Sequence, residues 1–151
     1  MILSPGTAAP DFTLPEAPGK MVTLSTISSP VVLIFYPADW SPVCGDELSI
    51  FQAAGELFAQ HGAQLLGISV DGVWCHSAFQ TDRRLKFPLL ADFNPKGETS
   101  KAYGVYREND GISERALFVL DRTHNITWSH LSPIEINPGA DGALRAVEAL
   151  S

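Results

Sequence analysis

One of the chain's two cysteines, Cys44, lies in the stretch FYPADWSPVCGDELSIF (residues 35–51), behind Pro37, Ser41 and Pro42 and at the head of a helix-like run. A thiol attacks as its thiolate, and its ordinary pKa leaves only a small fraction ionised at neutral pH. The first turn of a helix offers unsatisfied N–H groups and the positive end of the macrodipole, both of which favour an anion. Pro37 and Pro42 stiffen the approach and remove competing donors. Ser41 places a hydroxyl three residues before the sulfur, able to accept from or donate to a bound oxygen species. Position alone leaves two readings open: a reactive thiol, or a buried and inert cysteine of the kind that fills cores.

The elements that must hold this loop can be read from hydrophobic periodicity. Residues 31–36 (VVLIFY) form a continuous β-branched and aromatic run, the pattern of a strand covered on both faces. From Cys44 onward, Leu48, Phe51, Ala54, Leu57 and Phe58 recur at helical spacing, and Gly62 is placed to end one helix there. Residues 63–70 predict a second buried strand, and 73–85 a shorter helix with Trp74, Ala78 and Phe79 near one face. Residues 87–92 are extended and 96–103 helical. Residues 115–121 and 126–131 form a hairpin across Thr123-His124-Asn125, and 141–150 a closing helix with Leu144, Val147 and Leu150 on one side. The Pro- and Gly-rich residues 4–20 read as an entry arm laid over the surface. The order β-α-β-α-α-β-β-α implies an α/β fold, a central mixed sheet with helices on both faces. Right-handed crossovers then put Cys44 at the carboxyl edge of the parallel strands, where chemistry usually sits.

Length and composition bound the function. A chain of 151 residues, 45% apolar and 18% charged, is expected to form one globular domain over residues 1–151. A net charge of -7 with scattered basic residues argues against nucleic-acid binding. No apolar run reaches the length of a membrane span, and residues 1–12 lack the pattern of an export signal. Two cysteines in such a chain point to a reducing compartment, and a cytoplasmic location is expected.

Pro37-x-x-x-Ser41-x-x-Cys44 resembles the active-site signature of the peroxiredoxins (the alkyl hydroperoxide reductase/thiol-specific antioxidant family), in which the Ser41 slot is Thr or, less often, Ser. The resemblance extends over nearly the whole chain. PGTAAPDFTL is similar to the family's opening segment, GISVDGVWCHSAF to its second strand and following helix, FPLLADFNPKGETSKAYGVY to its middle section, and RALFVLD to the strand carrying its active-site arginine, here Arg115. FPLLADF and GVYRENDGISERALFVLD look most like the one-cysteine reductase E group. The resemblance implies a thioredoxin-like fold and a thiol-dependent peroxidase acting on hydrogen peroxide and organic hydroperoxides, with no cofactor and no metal. It implies Cys44 as the peroxidatic nucleophile that becomes a sulfenic acid, and Arg115 holding the thiolate and the peroxide oxygens. It also implies Ser41 stabilising the leaving oxygen, Pro37 shielding the thiolate from water, and Glu47 holding the arginine. Serine in place of threonine keeps the donor but loses the methyl group that would fix its rotamer. Implied partners are a thioredoxin-, glutaredoxin- or small-thiol-type reductant and a second copy of the chain in a homodimer.

Cys75 poses a separate question. The reductase E group commonly works with one cysteine, whereas some peroxiredoxins of the Q type carry a resolving cysteine in the corresponding helix. Cys75 is thus a candidate to condense with the Cys44 sulfenic acid, or a bystander. A disulfide needs Cα atoms within about 7 Å, so bridging from a neighbouring helix start would require local unwinding. Other thiol chemistries fit less well. A C-x-x-C reductase needs Cys where Glu47 stands, a copper-delivery protein needs it at Leu48, and Cys44, Cys75 and His76 lack zinc-ligand spacing. His76 is expected to pack or hydrogen-bond near the loop, and His61, His124 and His130 to be exposed or in turns. Trp40 and Trp74 read as loop-packing aromatics, available to a dimer contact. A thiol redox sensor that passes oxidation to a partner protein needs the same activated thiol, so the sequence leaves it open as the alternative function.

Overall fold

The computed structural model describes residues 1–150. A five-stranded sheet runs in the order β5-β4-β3-β8-β9, with β3 (Val31–Phe35), β4 (Gln64–Ser69), β5 (Leu89–Ala91), β8 (Arg115–Leu120) and β9 (Ile126–Ser132). The first three are parallel to one another, and β8 pairs antiparallel with both β3 and β9. Alternation along β3 divides the core. Val32, Ile34 and Tyr36 join Leu48, Phe51, Phe58, Leu117 and Val147 on one face, while Val31, Leu33 and Phe35 join Leu66, Tyr103 and Phe118 on the other. Both faces of β3 are covered, which is why its sequence reads as an unbroken apolar run.

Helices α1 (Pro42–Ala53), α2 (Gly55–Gln60), α3 (Val73–Arg83), α4 (Glu98–Ala102) and α5 (Asp141–Glu148) complete the fold. Several expectations are corrected here. The helix expected to run on to Gly62 is interrupted at Ala54, so α1 and α2 are separate pieces. In α3 the buried residues are His76 and Phe79, whereas Trp74 is 76% exposed and Ala78 is also exposed. The buried stripe thus follows i, i+3 spacing, and His76 packs and hydrogen-bonds near the loop as expected. The entry arm is more than a surface cover. Ala8 bridges Asn125, and β1 (Thr13–Ala17) pairs with β2 (Lys20–Thr23) in a hairpin. A short pair, β6 (Tyr106–Arg107) with β7 (Ile112–Ser113), was not expected at all. His124 lies in its turn at φ 66, but it is half-buried, with Nε2 2.6 Å from the Ile27 carbonyl oxygen. His61 is half-buried, and exposed His130 stacks on Trp128.

A buried polar network ties the loop after β3 to α3. Tyr36 donates its hydroxyl to Asp39 Oδ1 at 2.6 Å, and His76 Nδ1 lies 2.7 Å from Asp39 Oδ2. The second ring nitrogen of His76 faces the Leu90 carbonyl oxygen at 3.0 Å, so the ring meets an acceptor on each side. The Asp39 backbone N–H donates to Asp71 Oδ2 at 2.8 Å. Tyr36, Asp39 and His76 are all buried, so each depends on the others for its hydrogen bonds. Asp39→Ala should therefore cost about 3–5 kcal/mol, the typical loss when one partner of a buried pair is removed. Urea denaturation midpoints measure this, and an unchanged midpoint would mean that the loop is held elsewhere.

Candidate functional site

Ser41 and Pro42 fix where α1 begins. Ser41 is the N-cap, with its Oγ accepting from the Cys44 backbone N–H at 3.3 Å, and Pro42 occupies the first helical position, where a missing N–H costs nothing. Cys44 therefore sits in the first turn with its backbone already committed, and its side chain is fully buried. The Ser41 hydroxyl accepts from this N–H and keeps its own hydrogen to donate. Pro37 is buried in the loop between β3 and Ser41.

The cation arrives from the other direction of the sheet. Because β8 runs antiparallel to β3, its first residues lie beside the end of β3, with Phe35 paired to Ala116. Arg115 thus enters at the edge where α1 starts. Its guanidinium is buried, with Nε donating to the Ile134 carbonyl oxygen at 2.7 Å. One nitrogen, Nη1, reaches two acids: it lies 3.4 Å from Cys44 Sγ and 2.9 Å from Glu47 Oε1. Glu47 stands one turn after Cys44 on α1 and is fully buried. Its other oxygen, Oε2, has no hydrogen-bond partner among the described residues. Burial pushes the Glu47 carboxyl up to about 7, against the opposing pull of Arg115.

Cys44, Ser41, Glu47 and Arg115 are thus brought together, and Cys75 is placed differently. Its thiol is half-buried at the start of α3, grouped within 4.8 Å of carboxylate oxygens of Asp39 and Asp71. Burial, then the negative charge and hydrogen bonding of Asp39, and then the charge of Asp71 push this thiol up to about 11. The three side chains could in principle offer ligand atoms to a cation, but both Asp39 oxygens already serve Tyr36 and His76. A cavity of about 480 Å³ opens between the β1–β2 hairpin and α3, lined by Leu14, Met21, Val73, Trp74, Cys75 and Phe93 among others. Cys44 is not part of its wall.

Sequence reasoning missed the residues that hold the loop. Asp39 lies inside the signature, and a carboxylate between Pro37 and Ser41 was a usable signal. Asp71 and the Ile134 carbonyl gave none. Nor did the close approach of Gly45 to α3, where a Cβ would come 2.6 Å from the Arg83 guanidinium carbon. Trp40 adopts φ 70, uncommon for so bulky a residue, and its ring meets Phe79 edge-on at 5.3 Å.

Glu47 also makes stability depend on pH. Its carboxyl keeps a proton in the folded chain up to about 7, whereas the ordinary value is 4.5. The folded state therefore binds more protons across that window, and stability falls as the pH rises through it and then levels off. The full difference corresponds to roughly 3 kcal/mol. Glu47→Gln, which cannot ionise, should gain about this much relative to wild type between pH 4.5 and pH 8. Urea midpoints of both proteins at the two pH values measure it, and parallel pH profiles would refute it.

Comparison with known proteins agrees with this geometry. The AhpC/TSA family profile matches residues 5–129. Peroxiredoxin 2 of Thermoplasma acidophilum is 33% identical over 152 aligned positions, covering 96% of this chain and 75% of that protein. Alkyl hydroperoxide reductase E of Mycobacterium tuberculosis is 36% identical over 132, covering 86% of each. The crystal structure of peroxidoxin BcpB from Mycobacterium tuberculosis superposes with a TM-score of 0.89 at 33% identity, covering 99% of both chains. The thioredoxin-like peroxiredoxin fold expected from the sequence is the fold observed. A cysteine at a capped helix start, facing a buried arginine, is thus found in a chain that belongs throughout to the AhpC/TSA family, and the protein is a peroxiredoxin, a thiol-dependent peroxidase.

Proposed function

We propose that Cys44 is the peroxidatic thiol and that it reduces hydrogen peroxide and organic hydroperoxides. The observation that carries this reading is the 3.4 Å approach of Arg115 Nη1 to a sulfur held in the first turn of α1. A guanidinium stabilises negative charge on the sulfur and on the oxygens of a peroxide seated beside it. The thiolate attacks the hydroxyl-bearing oxygen, the S–O bond forms as the O–O bond breaks, and a sulfenic acid and an alcohol or water result. Ser41, with its hydroxyl hydrogen free, and the first-turn N–H groups stabilise the leaving oxygen. Pro37 closes the site to water, and Glu47 holds Arg115 in place.

Recycling falls to Cys75 and then to a thioredoxin-, glutaredoxin- or small-thiol-type reductant, in a chain of the reductase E-like subtype with a Q-type-like second cysteine. In the closed form Cys75 is a poor nucleophile, because burial and two carboxylates hold it as a thiol. Opening of the first turns of α1 and α3 removes it from those carboxylates and brings the two sulfurs together. The peroxidase should form a homodimer through the loops around residues 37–42 and 73–76. Trp40 is 49%, Trp74 76% and Phe93 60% exposed, large apolar surfaces of the kind that mark protein contacts. Sedimentation over a range of concentrations should show the dimer, and a concentration-independent monomer would remove this part of the proposal.

Cys44→Ser should abolish peroxide consumption and leave the fold intact, since only one buried sulfur changes. Substantial turnover in that variant would place the nucleophile elsewhere. Peroxide-treated wild type should lose both free thiols and about 2 Da in intact mass, as for one disulfide. Cys75→Ser should still consume one equivalent of peroxide and then stall without an added thiol. A serine variant that cycles as fast as wild type would make the protein a one-cysteine enzyme.

A further inference from the structure

Nη1 of Arg115 is the meeting point of two acids. Cys44 Sγ approaches it at 3.4 Å and Glu47 Oε1 at 2.9 Å, and Cys44, Glu47 and Arg115 are all buried. Glu47 receives one charged neighbour from the sheet, Arg115 on β8, and shares it with the thiol one turn earlier on its own helix. One guanidinium balances one negative charge, and a second anion buried beside it would be left uncompensated. The free oxygen Oε2 sharpens this constraint. An ionised carboxylate would leave a charged oxygen buried without any hydrogen bond, whereas the neutral acid leaves only a polar group there.

We infer that Glu47 is the proton store of the peroxidase reaction: it takes the proton of the Cys44 thiol and returns it to the oxygen that leaves when the peroxide is cleaved. This rests on Cys44 as the peroxidatic thiol. In the resting site the pair holds a single proton, so that a thiolate at Cys44 is accompanied by a neutral Glu47. The thiolate then attacks the terminal oxygen of R–O–O–H, and the sulfur is oxidised as the electron pair of the O–O bond passes to the leaving R–O⁻. That oxygen takes the proton from Glu47 and departs as R–O–H. Cys44 becomes the neutral sulfenic acid, which carries the transferred hydroxyl. Glu47 becomes the carboxylate and inherits Arg115. The site carries one cation and one anion before and after the step, and no proton crosses to solvent. Burial that holds the Glu47 carboxyl near neutrality suits this exchange, since a proton store works best when it gains and loses its proton at similar cost.

The role differs from merely holding the arginine, and Glu47→Gln separates the two. Glutamine keeps an oxygen for Arg115 Nη1 and a similar volume, so it preserves the support but cannot carry the proton. A pre-steady-state reaction of the reduced protein at pH 6, where Glu47 still holds its proton, with an alkyl hydroperoxide and with a peroxycarboxylic acid reads the difference. An alkoxide is a strongly basic leaving group that needs a proton, whereas a carboxylate leaves without one. The variant should react about a hundredfold more slowly with the alkyl hydroperoxide, within the usual range for lost acid catalysis, and at a similar rate to wild type with the peroxycarboxylic acid. With the alkyl hydroperoxide and a pH indicator, wild type should take up no proton per sulfenic acid formed, and the variant one. Equal slowing with both peroxides, equal rates with both, or uptake of one proton by wild type would overturn the proton store and leave Cys44 as the nucleophile. A wild-type protein that forms no sulfenic acid with either peroxide would instead overturn the assignment of Cys44 itself.

Discussion

A single buried guanidinium, that of Arg115, has to serve a sulfur on one side and a carboxylate on the other. A buried cation without partners would be strongly unfavourable, and so would a buried anion without the cation. Much of the local architecture satisfies that one requirement. The backbone carbonyl of Ile134 fixes Nε, α1 supplies both acids one turn apart, and the Ser41 cap sets the point at which the helix begins. A shift of one residue in that starting point would rotate Cys44 by about 100° around the helix axis and take it off the arginine.

Topology brings these parts to one edge. The parallel strands β3 and β4 each lead through a loop into a helix, α1 and α3. The loop before α1 meets the first turn of α3, where Asp39 lies beside Cys75 and His76. The antiparallel strand β8 begins where β3 ends, which is how a residue 71 positions away in sequence delivers its side chain to Cys44. The parallel and antiparallel halves of the mixed sheet thus contribute different things. The parallel half provides helix starts, and the antiparallel half provides the cation.

The buried strands, the hairpin of β8 with β9 and the closing helix were legible in the sequence because each carries a continuous apolar run or a clean stripe. The sequence pattern also pointed to Cys44 and Ser41, and the family resemblance to Arg115 and Glu47, which the fold brings within hydrogen-bonding reach of one another. Periodicity failed where polar residues had been drawn inside. His76 occupies an apolar-looking position in α3 because Asp39 and the Leu90 carbonyl oxygen satisfy it from two other segments, and no local pattern records such partners. The break at Ala54 was hidden because apolar residues continue in helical spacing through α2. The left-handed backbone at Trp40 is imposed by its surroundings and has no signature in the residue type.

The same edge of the sheet sorts the two cysteines. Both stand in the first turn of a helix that follows a parallel strand, so the helix dipole alone would treat them alike. Their neighbours do not. Cys44 meets a guanidinium, while Cys75 meets the carboxylates of Asp39 and Asp71 and is held as a thiol up to about 11. Asp39 belongs to the loop that delivers Cys44 and is fixed by Tyr36 and His76, so the structure that steadies one cysteine also suppresses the other. Of the two cysteines, Cys44 alone has a guanidinium beside its sulfur in the folded chain. Under the proposed recycling, Cys75 becomes competent only when the loop and α3 part, so the contacts that keep it silent are the ones that must open for it to react.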